Sequence, residues 1–217
     1  MNSKDIGQGE TPQSATTKDK ADNSPAYPLP FQHPHKSRVD FDSDEEYQFY
    51  CWLGEAHKIG LITGWQYHVQ VFQLSGRKTI RLPDPIKSNL LRIKKKFLLH
   101  PQQYTPDFVV GISKDFMSKV GYIAEIYPPS HLLGLIIILD VKGTFIGKNN
   151  NSAITFPVIQ KWLCDKQDIY VNKLVPKYFF KHTWCPKEVA FIRGGAHRSK
   201  TWLDYPLLQD WVDKQGK

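Results

Sequence analysis

The feature that most constrains the fold is an aliphatic run that stops on an acid: Leu132-Leu133-Gly134-Leu135-Ile136-Ile137-Ile138-Leu139-Asp140-Val141. With no polar residue on either side of its pleat, such a run reads as a central strand buried on both faces. The rest of the chain must then supply a covering layer above and below it. The run is interrupted by Gly134 and closed by Asp140. It falls far short of the roughly 20 apolar residues that cross a bilayer, so no membrane partner is expected.

The neighbouring segments supply the remaining elements. Ser43 is a good helix N-cap, Glu46 stands in the capping-box position, and Asp44 and Glu45 suit the positive end of the helix dipole. Phe49, Tyr50, Trp52, Leu53, Ala56 and Ile59 continue at helical spacing up to a natural stop at Gly60. Alternation over 64–74 predicts a strand, followed by a Ser75-Gly76 turn. Residues 87–100 fit helix or strand. Short strands are expected at 108–112 and 122–126, a helix over 157–165, a strand over 168–175 and a final helix over 205–213. No internal repeat is visible.

The chain has 217 residues, enough for one domain with appendages. Residues 1–38 form a polar and then Pro-rich stretch, expected to be a disordered tail because it offers too little apolar surface to repay ordering. Residues 39–217 are expected to form one domain, with a basic, aromatic C-terminal extension from about residue 166. Net charge is +8. Residues 1–42 hold five basic and six acidic side chains, so the excess positive charge lies entirely in residues 43–217. That balance suits a polyanionic partner without specifying chemistry. Three widely spaced cysteines and the lack of an apolar leader point to a reducing, cytoplasmic setting. No phosphate-cradling Gly-Lys-Ser/Thr loop or dinucleotide fingerprint is present, so no nucleotide cofactor is expected. His182 and Cys185 have a zinc half-site spacing with no second pair to complete it.

Three acids stand where they are costly. Asp107 enters a hydrophobic strand within Tyr104-Thr105-Pro106-Asp107-Phe108, Asp140 ends the aliphatic run, and Glu46 lies on the first helix. Alternation puts Asp140 and Lys142 on one side of the strand and Val141 on the other. Phosphodiester hydrolysis needs a hard divalent cation on carboxylate and carbonyl oxygens, an in-line water, and positive charge for the developing anion. Asp107, Asp140 and the Val141 carbonyl are the expected metal ligands. Lys142 would orient or activate the water, and Glu46 would complete the acidic cluster. Plain structural roles compete: Asp107 as a strand-end residue satisfied by backbone amides, Asp140 as a partner for Lys142, and Glu46 as a capping carboxylate with Glu45 in reserve.

Pro106-Asp107 followed by Asp140-Val141-Lys142 resembles the PD-(D/E)XK nuclease superfamily. Phe41 to Glu46, Gly60-Leu61-Ile62, Gln70 to Leu74, Tyr104 to Phe108, Asp140 to Gly143 and Gln160-Lys161 follow in an order similar to small phage-type endonucleases described as Holliday-junction-resolvase-like. The resemblance covers about residues 41–163. It implies an α/β, restriction-endonuclease-like core, with a mixed central β-sheet flanked by helices. It also implies Mg²⁺ or Mn²⁺, DNA cleavage, a bacterial or phage-encoded origin, and Glu46, Asp107, Asp140 and Lys142 as active positions. A homodimer follows conditionally, because two symmetric strands would be cut. Two alternatives stay open: a non-catalytic nucleic-acid-binding protein on the same fold, and a nuclease subunit similar to TnsA-type endonucleases, active only with a partner. The step of 33 positions from Asp107 to Asp140 departs from a simple hairpin and requires an extra strand or loop.

Basic residues outside this set are candidates for DNA contact. They are Lys94, Lys95 and Lys96 in one cluster, Lys161 on the predicted helix, and Arg193, His197, Arg198 and Lys200 around Gly194-Gly195 among aromatic residues.

Overall fold

The computed structural model describes residues 36–83, 93–128, 136–144, 151–191 and 197–216. The expected tail up to residue 35 lies outside them, as do 87–92, 132–135 and Arg193. The chain is an α/β protein built on a mixed four-stranded sheet.

Helix α1 (Asp44–Lys58) starts where the cap predicts, with Ser43 Oγ accepting from the Glu46 N–H. It stops before Gly60, whose φ of 73° is comfortable only for glycine. Strands β1 (Ile62–Tyr67), β6 (Phe108–Ile112), β7 (Ile136–Val141) and β8 (Val171–Leu174) lie in the order β1-β6-β7-β8. The first two pairings are antiparallel, and β7 runs parallel to β8. All six residues of β7 are buried, as the aliphatic run requires. Between β2 (Phe72–Ser75) and β5 (Gln102–Tyr104), which pair with each other, a two-stranded ribbon is inserted, formed by β3 (Lys78–Pro83) and β4 (Ile93–Leu99).

Alternation along β7 divides the core. Ile137, Leu139 and Val141 face the larger cluster, with Phe49, Trp52 and Leu53 of α1. Ile138 faces the smaller one, with Phe156 and Leu163 of α2 (Asn151–Gln167). The sheet is thus flanked by helices on both faces.

The C-terminal region belongs to the larger cluster. Helix α3 (Pro176–His182) contributes Phe179 and Phe180, followed by Trp184, then α4 (Lys187–Ala190), and α5 (Leu208–Gln215) contributes Trp211. Trp184 stacks on Trp52 at 4.8 Å between ring centroids, and its Nε1 donates to Glu55 Oε2 at 2.8 Å.

Three elements differ from expectation. The strand over 64–74 is two strands, because His68 takes a left-handed φ of 53° and turns the chain. The strand over 122–126 is absent. A π-helical turn at Met117–Gly121 and further turns occupy that part of the 107–140 gap and bury Phe116, Val120 and Ile126. The helix over 157–165 is longer, with Pro157 inside it. Among the described residues no helix is long and apolar enough to cross a membrane.

Candidate active site

The ends of β1, β6 and β7 and the first turn of α1 meet at one place. β6 opens at Phe108, paired with Leu139, so Asp107 just before it stands at the level of Asp140 and Val141. The Val141 N–H donates to Asp107 Oδ2 at 2.6 Å. Val141 itself faces the core and Asp140 lies on the other side of the strand. Asp140 and Lys142 therefore share a side, and Lys142 Nζ lies 2.6 Å from Asp140 Oδ2. The Asp140 side chain is 4% exposed and that of Lys142 30%, so the lysine spans from buried carboxylate to solvent.

Burial, and then the charge of Asp140, push the Asp107 carboxyl up to about 6. Lys142 and the Val141 N–H pull it down, and Glu46 adds a further upward push. The other three sequence-derived catalytic positions thus all act on Asp107. Val141 enters through its N–H, whereas the sequence reading used its carbonyl.

Glu46 is buried and is held from several directions. Ser43 Oγ donates to its Oε1 at 2.8 Å, the Tyr67 hydroxyl to its Oε2 at 2.6 Å, and the Asp42 N–H to Oε2 at 3.3 Å. Helix capping and a place in the acidic cluster coexist in this residue, the Tyr67 contact tying the cap to β1. Glu45 lies over the β7 exit: a Cβ at position 143 would stand 2.9 Å from Glu45 Oε1, which glycine avoids.

His68 and Asp42 were not singled out by sequence reasoning. His68 stacks on Tyr67 at 3.9 Å, and its Nε2 lies 3.2 Å from Asp107 Oδ1. Its Nδ1 lies 4.0 Å from Asp42. Ligand atoms of Asp42, Glu46 and His68 all fall within 4.8 Å of one another, so these three could hold a metal ion. A lone histidine after a strand carries no local signal, and only the left-handed turn brings it back onto Asp107.

A hard divalent cation fits the residues present. Asp140 Oδ2 is buried with the Lys142 ammonium as its near partner, and the buried Tyr104 hydroxyl lies beside the Asp140 carboxylate. The Asp140 charge bears on that hydroxyl, which burial chiefly holds in its protonated form. Buried carboxylate oxygens gathered at one place are the kind of donor set that a hard divalent cation takes.

The basic candidates are dispersed. Lys94, Lys95 and Lys96 are exposed on β4, and Lys161 is exposed on α2. His197 and Lys200 are exposed as well, while Arg198 is half-buried and its guanidinium donates to the Tyr205 carbonyl. Of the aromatic residues around them, Phe179, Phe180, Trp184 and Trp202 are buried core, while Tyr178 is exposed. Compared with protein-family models, curated proteins and solved structures, the chain matches none.

Proposed function

We propose that this chain is a metal-dependent endodeoxyribonuclease of the PD-(D/E)XK kind, with a restriction-endonuclease-like core. The observation that carries this reading is the Asp140–Lys142 pair, 2.6 Å apart at the end of a buried strand, beside an Asp107 whose carboxyl is raised by burial and by Asp140. Structural ion pairs are common, but a pair that also burdens a second buried acid is a poor device for stability. It is a good device for a site that takes up a cation and an anion together.

In this reading Asp107 and Asp140 hold Mg²⁺ or Mn²⁺, with the Val141 carbonyl and Glu46 as further oxygens. When bound, the cation supplies Lewis acidity toward a phosphate and offsets the charge of the transition state. The chain's own residues do the remaining work. Lys142, one-third exposed, presents its ammonium to a non-bridging phosphate oxygen and orients the attacking water. The Val141 N–H and His68 fix the Asp107 carboxylate from two sides, so it does not reorganise when substrate arrives. Tyr67 and Ser43 do the same for Glu46. DNA is the proposed substrate, and branched or junction DNA follows from family analogy alone. A two-fold dimer belongs to the same proposal, because paired cuts need paired sites.

The test incubates the protein with plasmid and junction DNA in Mg²⁺, Mn²⁺ or EDTA. Cleavage in either metal, none in EDTA, and loss in Asp107→Ala and Lys142→Ala are expected. Equal nicking by wild type and both variants would overturn the mechanism. One observation favours a second reading, a non-catalytic nucleic-acid-binding protein. Both Asp107 oxygens already accept from, or lie against, protein groups. That reading expects salt-sensitive DNA binding with no cleavage even in Mn²⁺.

A further inference from the structure

Among the described residues the ribbon β3–β4 pairs with nothing but itself, and residues 78–82 and 94–99 are exposed apart from half-buried Ile80 and Phe97. A two-stranded hairpin that buries so little is marginal by itself. It also carries Arg77, Lys78, Arg81, Lys94, Lys95 and Lys96, while residues 76–83 and 93–106 contain no acid. Among the described residues none of the six is in a salt bridge with a carboxylate.

The register makes the arrangement more specific. Arg81 stands directly opposite Lys95, a cross-strand juxtaposition of like charges that costs stability. Lys94 and Lys96 stand opposite Leu82 and Ile80 and so occupy the other face. Cations therefore project to both sides of a ribbon only two strands wide. Lysines on exposed strands also discourage edge-to-edge pairing, but that purpose requires neither an arginine across the ladder nor two strands without a single acid. A second copy of the ribbon is a poor occupant, since the two would repel.

We infer that the β3–β4 ribbon is a duplex-binding arm that enters the major groove of B-form DNA and contacts phosphates on both sides. The inference rests on the reading of DNA as substrate and adds how that substrate is held. The major groove, about 12 Å wide, admits a two-stranded ribbon, whereas the deep, narrow major groove of A-form RNA does not. The arm is rooted at the site. β2 leads into it and β5 leads out, Phe72 pairing with Tyr104, and three residues after Tyr104 comes Asp107. A duplex seated on the arm thus lies beside the carboxylates.

The experiment uses the full chain carrying Asp107→Ala, without divalent cation, so binding is read independently of cutting. Fluorescence anisotropy of a 20-bp DNA duplex is followed across a salt series. Adding Lys94→Thr, Lys95→Thr and Lys96→Thr is expected to weaken binding at least tenfold near 0.1 M salt and to reduce the log–log salt slope by about two to three. The Lys→Arg triple should restore both, which separates lost charge from a misfolded ribbon. A control removing three cations elsewhere (Lys58→Gln, Lys114→Gln, Lys177→Gln) should leave binding within about twofold. Unchanged affinity in the threonine triple, or an equal loss in the control, overturns the inference. Equally tight, arm-dependent binding of an RNA duplex overturns the groove assignment. Cleavage by an arm-neutralised wild type that still binds normally would sink the arm and leave the nuclease proposal standing. An arm effect in a protein that never cuts would do the reverse.

Discussion

Asp107 Oδ2 accepts the main-chain N–H of Val141 at 2.6 Å, so one acid clamps the segment that carries the other acid and the lysine. Burying that carboxyl beside Asp140 has a cost visible in solution that the clamp only partly offsets. Burial and Asp140 raise the Asp107 carboxyl from 3.8 to about 6, so the native state holds its proton over a range where the unfolded chain has lost it. Between about pH 4 and 6 the native state then binds more protons, and stability falls as pH rises through that window.

The first prediction follows. In EDTA, the stability difference between wild type and Asp107→Asn should change by on the order of 2 kcal/mol from pH 4 to pH 7, wild type losing ground as pH rises. Urea melts at several pH values measure it. A difference that is flat across the range would mean that Asp107 keeps an ordinary carboxyl.

The second prediction concerns thiols. Burial pushes Cys51 and Cys185 up to about 12, while Cys164 is exposed on α2. The thiolate is the reactive form. At pH 8 the native protein should react rapidly at one cysteine, and Cys164→Ser should remove that phase. Full reaction of three thiols is expected only in denaturant, and a dithionitrobenzoate time course reads all of this.

How much of the site was legible follows from which forces act locally. α1 was readable because its cap, its dipole acids and its apolar spacing all agree. β7 was readable because a strand buried on both faces can hold only apolar residues, which made Asp140 conspicuous. The convergence of Asp140 and Lys142 followed from strand alternation. His68 was hidden because its role depends on a left-handed turn between two strands that read as one. The 122–126 segment misled because Tyr122 and Ile123 look like strand residues yet are exposed, while the buried Phe116, Val120 and Ile126 follow a helical turn. The C-terminal aromatics could not be placed from composition. Interleaved with lysines they resemble a nucleic-acid surface, and only the tertiary fold turns Phe179, Phe180, Trp184 and Trp202 inward while leaving Tyr178 exposed.

The third prediction uses that inward turn. Trp184 is fully buried, stacked on Trp52, close to Trp211 at 4.9 Å, and bonded to Glu55. Trp184→Ala should cost about 3–5 kcal/mol, as large aromatic truncations in cores do. Truncation after residue 165 removes that partner together with β8 and should leave no cooperative unfolding transition. Lys200→Ala, on the exposed surface, should change stability by under about 0.5 kcal/mol. Calorimetry of the four chains separates a core from an appendage.

The last prediction separates the two roles of Glu46. As a cap, its carboxylate serves Ser43 and the Asp42 N–H; as part of the cluster, its charge faces Asp107. Glu46→Gln keeps an acceptor for the Tyr67 hydroxyl and the Asp42 N–H while removing the charge. It should unfold within about 1 kcal/mol of wild type. On the proposed mechanism it should also lose metal-dependent cleavage by at least tenfold. Glu46→Ala should lose both the activity and a further 1 kcal/mol or so of stability. If Glu46→Gln cuts DNA at the wild-type rate, Glu46 is a cap alone, and Glu45, lying over Gly143, becomes the acid to test next.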